Sequence, residues 1–505
     1  MRPGVTCSST PRSTSRLRCR RRDAGGTQLE TMMTGAARTT RAAAIAAALL
    51  ATSALAAPVT DADRALGRAV VTELVAIPTV KGNGQVPTLI AAIEKRLKAA
   101  GFVDADIMRV PVSVDGEATA GLVVRLAGRG KAKPIALLGH MDVVGAVPGS
   151  WDTDPFKPVE KDGYLYARGA SDNKAGVSAL VTTFIRLKRE KWVPSRDLLL
   201  VFSGDEETGM QTTKALVKHP LVATAEYALN SDAGGGSMEA DGSNPVFAIQ
   251  SAEKTFATFR IVASNKGGHS SAPRPDNAIF DAADAIQAVR TLRFPAAFNE
   301  ITGPMVESLA ARSPGAFGSA LKTLLANPQD EAARAVAERN PESALMWTTC
   351  VPTMLAGGNA PNALPQTADV TVNCRILPGT SIESVQQTLQ AAVDKGVPGD
   401  AKPKVTLDTA GTASPVSPVR PELFAAIRRA VHANYPGAPA EPAMSSGGTD
   451  GREFRSQGIP TYGAGSLAMV RVIDSRAHGA NERLLLKSFD KELVFWDTLL
   501  RDLGS

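Results

Sequence analysis

The sequence predicts a three-layer α/β domain that is interrupted by an inserted α+β domain. Strand-like apolar runs alternate with helical periodicity in the first half of the chain and again near its end, as in a sheet covered by helices on both faces. Between these parts the runs alternate in polarity, which is typical of a sheet with one exposed face. The predicted boundaries are a leader over 1–56, a first α/β part over 57–247, the insertion over 248–380 and a second α/β part over 381–505.

The elements of the first α/β part follow from the period of their apolar residues. Gly101 is a C-cap signal that ends the second helix. The predicted helices cover 61–77, 88–100 and 174–188, and the predicted strands cover 120–126, 134–138, 163–168, 197–202 and 226–229.

The insertion and the second α/β part are predicted in the same way. Residues 296–346 are helical in pattern and rich in alanine. This segment is longer than an inserted lid domain of minimal size needs. The other predicted elements are strands over 256–263, 351–355, 368–376 and 458–463, and helices over 277–293, from Ile382, over 421–433 and from Asn481.

Composition is ordinary for a globular protein of 505 residues, with 44% hydrophobic and 21% charged residues. The net charge of +6 is concentrated in the leader, which has nine arginines and two acidic residues. The rest of the chain is therefore close to neutral, at −1. No basic surface is predicted, so a nucleic-acid partner is excluded.

The leader is predicted to direct export. Residues 1–31 lack apolar periodicity, which is typical of disorder or of a start codon placed too far upstream. From about residue 32, Arg38 and Arg41 precede an apolar run over 42–55 that is short for a bilayer, and a small-x-small site predicts a mature start near Ala57. A periplasmic or secreted protein without a membrane contact is expected, and a retained anchor is the alternative.

Two cysteines, Cys350 and Cys374, remain after the predicted cleavage. They lie in two β-like runs, at equal distances in sequence from a turn around Asn362. In an antiparallel hairpin they would face each other, so either a cross-strand disulfide or two reduced, half-buried thiols is expected.

Candidate metal ligands lie where predicted strands end. The apolar run 134–138 leads into His140 and Asp142, which point to the same side of an extended chain. Asp142 is placed to influence the orientation of a metal-ligating imidazole. Further acids and a histidine follow strands or precede helices, and together they indicate a metal centre. They are Asp172, Asp205, Glu206, Glu207, Asp232 and His478.

This series resembles the co-catalytic di-zinc metallopeptidases, which include aminoacylases, glutamate carboxypeptidases, carnosinase-like dipeptidases and succinyl-diaminopimelate desuccinylase. The resemblance implies a zinc-peptidase catalytic domain with an inserted lid or dimerisation domain. It also implies that Asp172 bridges two zinc ions. His140 and Asp232 would hold one ion, and Glu207 and His478 the other. Mixed imidazole and carboxylate ligation suits zinc, although manganese or cobalt could fill the site.

The resemblance makes Glu206 the general base and gives Asp142 the role of orienting His140. Asp205 is the rival base. It ranks lower because in an extended register Asp205 and Glu207 share a side, which aims Glu206 differently.

The insertion and the loop near residue 448 contain further residues that match the family. His269 would stabilise the oxyanion, often across a dimer, and Arg375 would bind a substrate carboxylate as a two-pronged fork. The other matching candidates for substrate binding are Asn362, Gly448 and Thr449. The chain departs from the family at Thr255, where glycine is usual, and it has Asn173 after the bridging aspartate, as in the dipeptidase branch.

The expected function is that of an exported hydrolase that cleaves an amide bond, peptide or N-acyl, next to a free carboxylate. The attacking water would bridge the two metals and be activated by Glu206. Expected substrates are small peptides or N-acyl amino acids, and a homodimer through the lid is implied, although the enlarged insertion departs from the usual lid. Two alternatives remain, a non-catalytic periplasmic binding protein on the same scaffold and a metal-dependent esterase.

Overall fold

The computed structural model describes residues 58–400, 402–471 and 473–505. The predicted leader and signal peptide lie outside the described residues. The first α/β part contains helices α1 (Asp61–Val75), α2 (Val86–Ala99), α3 (Lys174–Arg189) and α4 (Gln211–Leu216), and strands β1 (Ile107–Val114), β2 (Glu117–Leu126), β3 (Ala132–His140), β4 (Val159–Lys161), β5 (Tyr164–Tyr166), β6 (Arg196–Ser203), β7 (Tyr227–Asn230), β8 (Gly236–Met238) and β9 (Val246–Glu253).

The insertion follows β9, and the chain then returns to the α/β part. The insertion contains strands β10 (Thr255–Ser264), β11 (Gly268–His269), β12 (Thr349–Gly357), β13 (Ala363–Leu364), β14 (Thr367–Ile376) and β15 (Lys404–Ala410), and helices α5 (Ala278–Thr291), α6 (Thr302–Arg312), α7 (Gly315–Ala326), α8 (Glu331–Ala337) and α9 (Ile382–Gly396). The last part contains α10 (Pro421–His432), α11 (Gly451–Ser456), α12 (Leu486–Leu503), β16 (Ala440–Ser445), β17 (Thr461–Gly463), β18 (Ala468–Val470) and β19 (Arg483–Leu485). In the described part of the chain, short 3₁₀ helices cover Asp104–Asp106, Val222–Thr224 and Pro341–Met346.

The large sheet confirms the predicted α/β layers. Its strands lie in the order β1-β2-β6-β3-β7-β17-β9-β8-β18, and β16 pairs with β9. Along β3, Leu137 packs in the core on one face, whereas Ala136 and Leu138 pack in the core on the other face. Both faces are covered, which explains why this strand is an uninterrupted apolar run.

The small sheet of the insertion has the order β12-β14-β10-β15, and its pairs are antiparallel. Helices α5 and α9 cover one face, where Phe259 and Leu389 share a core. Helix α9 packs on the small sheet and β15 pairs with β10, so elements of the insertion continue past residue 380, where the insertion was predicted to end. Helices α6, α7 and α8 form a separate core with Met346 and Trp347.

Other differences from the predicted elements are local. The last helix begins at Leu486 rather than at Asn481, because β19 pairs with β5. The strand predicted over 458–463 is shorter, since Gly458 adopts a positive φ of 81° in a turn. Of the two states proposed for the cysteines, the disulfide is present, with Cys350 and Cys374 directly opposite each other on β12 and β14. None of the helices in the described part of the chain could cross a bilayer.

The core of the insertion gives a stability prediction. Phe259 is fully buried, whereas Phe280 on α5 is 57% exposed. We expect Phe259→Ala to lower the free energy of unfolding by about 3–5 kcal/mol, because it leaves a cavity in a packed core. Phe280→Ala is the matched control and should change it by about 0.5 kcal/mol or less. Urea unfolding of both variants measures this, and equal losses would contradict the assignment of the core.

Candidate active site

The candidate site lies at one edge of the large sheet, where parallel strands end together. Strand β3 lies between β6 and β7, and both pairings are parallel. Their carboxyl ends therefore meet, as they do at the ligand sites of open α/β sheets. His140 ends β3, Glu206 and Glu207 follow β6, and Asp232 follows β7. Side chains that are far apart in sequence come together for this reason.

The five predicted metal ligands form two groups that share one carboxylate. In the first group, His140 Nε2 lies 2.9 Å from Asp172 Oδ1 and 3.5 Å from Asp232 Oδ1. In the second, His478 Nε2 lies 3.2 Å from Asp172 Oδ2 and 2.9 Å from Glu207 Oε1. Within each group the candidate ligand atoms lie within 4.8 Å of one another. Asp172 offers one oxygen to each group.

The electrostatics of the two groups favour the binding of positive charge. Burial raises the pKa of Asp232 to about 7. Burial opposes the charged form of His140, but the Asp232 carboxylate, with hydrogen bonds to further carboxylates, still raises the pKa of this ring well above its usual range. A hydrogen bond to Asp172 likewise raises the pKa of His478 to about 9. Crowded carboxylates of this kind fit a pair of divalent cations, and imidazole with carboxylate is a donor set that zinc accepts.

Asp142 contacts three residues of the site. Its carboxylate oxygens accept hydrogen bonds from the main-chain N–H groups of Glu206 and Glu207, each at 3.0 Å. His140 Nδ1 lies 3.0 Å from the Asp142 main-chain oxygen and 3.6 Å from its carboxylate. The imidazole is thus held chiefly by the main chain of Asp142, while the Asp142 side chain fixes the turn that contains the two glutamates.

The two candidates for the general base are in different surroundings. The Asp205 carboxylate accepts hydrogen bonds from the main-chain N–H groups of Gln211, at 2.7 Å, and Thr212, at 2.8 Å, at the start of α4. The Asp205 carboxylate therefore stabilises the start of α4. Glu206 lines the cavity beside the metal-ligand candidates, and burial raises its pKa well above the usual range of a glutamate.

Glu482 is a site residue that the sequence prediction missed. Its carboxylate is fully buried and accepts hydrogen bonds from the main-chain N–H groups of Gly169, Ser171 and Asp172, at 2.9, 2.8 and 3.0 Å. It also pairs with Arg168 at 2.7 Å. Glu482 therefore holds the loop that contains Asp172. The only signal in the sequence is its position, four residues after His478.

A cavity of about 700 Å³ opens beside both groups. Gly448 and Thr449 line it, as predicted for substrate-binding residues. Much of its wall is apolar. The apolar lining residues include Ala248, Pro341, Ala344, Leu345, Ala443 and Met444.

The helical segment 296–346 of the insertion supplies part of this wall. Lys254, next to the junction between β9 and β10, donates hydrogen bonds from Nζ to the main-chain oxygens of Ala344 and Trp347, each at 2.5 Å. Burial lowers the pKa of Lys254 to about 8. Arg334 Cζ lies 4.6 Å from the centre of the Trp347 ring. These contacts fix residues 341–345 against the mouth of the cavity.

Three predicted residues lie outside the cavity lining. His269 is exposed, and its Nδ1 lies 2.7 Å from Ser271 Oγ. Asn362 is near it, because its main-chain oxygen accepts a hydrogen bond from Ser270. Arg375 lies at the rim, with Nη1 3.5 Å from the main-chain oxygen of Ser446. The structure thus brings together the metal-ligand candidates, Glu206 and the 448–449 loop, but not His269 and Asn362.

Comparison with known proteins agrees with this geometry. The family model described as peptidase family M20/M25/M40 matches residues 136–502. The human N-fatty-acyl-amino acid synthase/hydrolase PM20D1 is 28% identical over 382 residues, which are 73% of this chain and 74% of that protein. An M20 metallo-carboxypeptidase from Sulfolobus solfataricus superposes with a TM-score of 0.63 at 18% identity, covering 87% of this chain and 99% of the other. A dinuclear metal-binding M20 peptidase from Bacillus subtilis superposes with a TM-score of 0.56 at 13% identity, covering 88% of this chain and 99% of the other.

The contacts of Glu482 give a prediction about the site. Glu482→Gln keeps the size of the side chain but leaves Arg168 buried without a charged partner. We expect the free energy of unfolding to fall by about 3–5 kcal/mol. Zinc affinity should fall about 10–100-fold, because the loop of Asp172 loses its anchor. Urea unfolding and zinc titration against a competing chelator measure the two effects.

Glu94→Gln is the control, since Glu94 pairs with Arg109 at the surface, at 2.6 Å. Glu94→Gln should lower the free energy of unfolding by about 1 kcal/mol or less and leave zinc affinity unchanged. Unchanged zinc affinity in Glu482→Gln would show that the loop of Asp172 does not depend on this carboxylate.

Proposed function

The chain belongs to the peptidase family M20/M25/M40, and on that premise we propose that it is an exported two-zinc hydrolase that cleaves an amide bond next to a free carboxylate. Family membership by itself makes the protein a metal-dependent amide-bond hydrolase of the peptidase or N-acyl amino acid hydrolase type. The observation that carries the finer proposal is the pair of ligand groups sharing Asp172 at the mouth of a cavity that Glu206 also lines.

His140, Asp172 and Asp232 would hold one zinc ion, and Asp172, Glu207 and His478 the other. Manganese or cobalt could replace zinc in this donor set. When bound, the ions polarise the substrate carbonyl and make water a better nucleophile at neutral pH.

The role of Glu206 follows from its place in the cavity. It would take a proton from the attacking water as the water oxygen bonds to the carbonyl carbon. It would then give this proton to the amide nitrogen as the C–N bond breaks, so that an acid and an amine leave. A carboxyl with a raised pKa suits both steps, because it holds the proton between them. Asp142 supports this role by fixing the main chain of Glu206.

The substrate class follows from the two surfaces of the cavity. An apolar wall suits an apolar acyl group or side chain, and guanidinium at the rim suits a free carboxylate. N-Acyl amino acids with an apolar acyl group have both an apolar part and a free carboxylate, and so do apolar dipeptides. The name of the human relative, an N-fatty-acyl-amino acid synthase/hydrolase, supports the first of these.

His269 and Asn362 would complete the site from a second copy of the chain. Both lie outside the cavity lining in one copy. The edge strand β12 of the insertion leaves Val351, Met354 and Leu355 between 55% and 70% exposed. Such an unpaired apolar edge is suited to pairing with another strand, which supports a homodimer through the insertion.

Export is proposed from the leader, and the disulfide between Cys350 and Cys374 supports an oxidising compartment. Expression of the full chain in a bacterial host should yield a periplasmic or secreted protein that begins near Ala57. Intact-mass measurement of each cell fraction tests this. Full-length protein that stays in the cytoplasm would contradict export.

Glu206→Gln tests the mechanism. We expect the variant to bind two metal ions per chain like the parent, because Glu206 is not among the proposed ligands. Its kcat on a panel of dipeptides and N-acyl amino acids should fall by about 10²–10⁴, the usual worth of a general base. Metal analysis and steady-state kinetics measure the two quantities.

The control is Glu160→Gln on the exposed strand β4, which should behave as the parent. Two metals without turnover of any amide in the parent would contradict the hydrolase proposal. Turnover of matched esters alone would favour an esterase. Parent-like activity in Glu206→Gln would mean that another group is the base.

A further inference from the structure

A second compartment of about 260 Å³ adjoins the cavity of the candidate active site, which is the first compartment. Gly234, Ala248 and Ala443 line both spaces, so the two are continuous at these residues. Glu206 lines the first compartment, together with most of the candidate metal ligands. The second compartment lies beyond them and is lined by other residues of the sheet and of the insertion. It is therefore placed to hold a part of the substrate that does not react.

The floor of the second compartment is one face of strands β8, β9 and β16. Ser237 on β8 lies opposite Val246 on β9, and Glu441 on β16 lies opposite Ala248 on β9. Directly paired residues point to the same face of a sheet, and Val246 and Ala248 share a face because they are two residues apart. Phe247, between them, packs in the core on the other face. The floor consists mostly of short side chains, which leave an open groove.

Helix α6 of the insertion covers this groove, because it packs against β16. Met305 of α6 lines the second compartment, and its Sδ accepts a hydrogen bond of 3.4 Å from the main-chain N–H of Met444, which lines the first. Methionine is a flexible apolar side chain that adapts to the shape of its neighbour. About two helical turns further on, Arg312 Nη1 lies 3.9 Å from Glu441 Oε2, and both side chains are about 40% exposed. The apolar groove therefore ends at a charged pair in contact with water.

Strand β16 gives the direction in which a substrate lies across the two compartments. Its outer residues, Glu441 and Pro442, line the second compartment. Ser446, which follows the strand, lines the first and lies 3.5 Å from Arg375, the proposed partner of the substrate carboxylate. An extended chain rises about 3.3 Å per residue, so Glu441 and Ser446 are about 16 Å apart. A substrate with its carboxylate at Arg375 therefore has its other end towards the second compartment.

We propose that the second compartment binds the distal part of a long, linear acyl chain, and that Ser237 and the Arg312–Glu441 pair set the chain length that the enzyme prefers. This inference rests on the proposed function and narrows its substrate class. Each methylene buried between the floor and Met305 improves binding about fourfold. A chain that passes the charged pair enters water and gains nothing more. Small dipeptides end in the first compartment, so the second favours N-acyl amino acids.

The test uses a series of N-acyl alanines that differ only in the length of the acyl chain, from butanoyl to hexadecanoyl. For the parent, kcat/KM should rise about fourfold per methylene once the chain enters the second compartment, mainly through KM, and then level off. Ser237→Phe fills the groove from its floor. In this variant kcat/KM for the long chains should fall about 10–100-fold, while that for the butanoyl compound should change by less than about threefold.

Two further variants make the test specific. Ser243→Phe adds the same side chain in the exposed turn between β8 and β9, and it should match the parent on every compound. Glu441→Leu replaces the charged end of the groove by an apolar one. It should move the point at which kcat/KM levels off to longer chains and leave the butanoyl compound unchanged.

A parent that gains nothing from longer chains, or that cleaves dipeptides but no N-acyl alanine, would overturn the inference and leave an amide hydrolase. Equal losses on short and long chains in Ser237→Phe would also overturn it, and urea unfolding separates this result from misfolding. If Ser237→Phe does not fold, Glu441→Leu decides by the shift in chain length.

A parent that hydrolyses neither this series nor dipeptides would refute the proposed function, and calorimetry with the butanoyl and dodecanoyl compounds then decides the inference. Tighter binding of the dodecanoyl compound that is lost in Ser237→Phe supports it. Equal binding of the two compounds, or binding that the variant does not change, overturns it.

Discussion

The crowding of carboxylates at the end of the central strands is the constraint on which the site depends. Asp172, Glu207 and Asp232 surround two imidazoles in a partly buried space, and among the described residues no arginine or lysine forms an ion pair with them. Behind them, main-chain N–H groups donate to the buried carboxylates of Asp142 and Glu482, and Arg168 also pairs with Glu482. The carboxylates of Asp142 and Glu482 thus have donors within the protein, whereas Asp172, Glu207 and Asp232 remain candidate ligands for cations. Main-chain hydrogen bonds therefore hold the turns that carry the candidate metal ligands Asp172 and Glu207.

Much of this site could be predicted from the sequence because it lies at strand ends. His140 and Asp142 follow a buried strand, and the acids after β6 and β7 lie at the same edge once the strands are parallel. The roles of Asp142 and Asp205 were harder to predict. A carboxylate after a strand can face the start of a helix, a main-chain turn or a cavity. Which of these it faces depends on the path of the chain after the strand, and the spacing of apolar residues does not predict that path.

The fold was predicted best where burial gives a clear period. The apolar runs of β3 and β6 required cover on both faces. By contrast, α9 has the same amphipathic pattern whether it packs on the large sheet or on the small one, so its domain could not be assigned. Strand β15 is mostly exposed and polar, and the strand Arg483–Leu485 is only three residues long. Tertiary pairing, rather than composition, defines both.

The apolar wall supplied by Pro341, Ala344 and Leu345 has a consequence for how such enzymes diversify. These residues come from a segment with its own core, formed by α6, α7 and α8, and they are tied to the junction through Lys254. The candidate metal ligands and Glu206 come from the strands and loops of the α/β part. A lineage could therefore lengthen, shorten or recompose the wall segment and acquire a new preference for acyl groups or side chains. The chemistry would be inherited unchanged, because the wall segment contains neither Glu206 nor any of the candidate metal ligands.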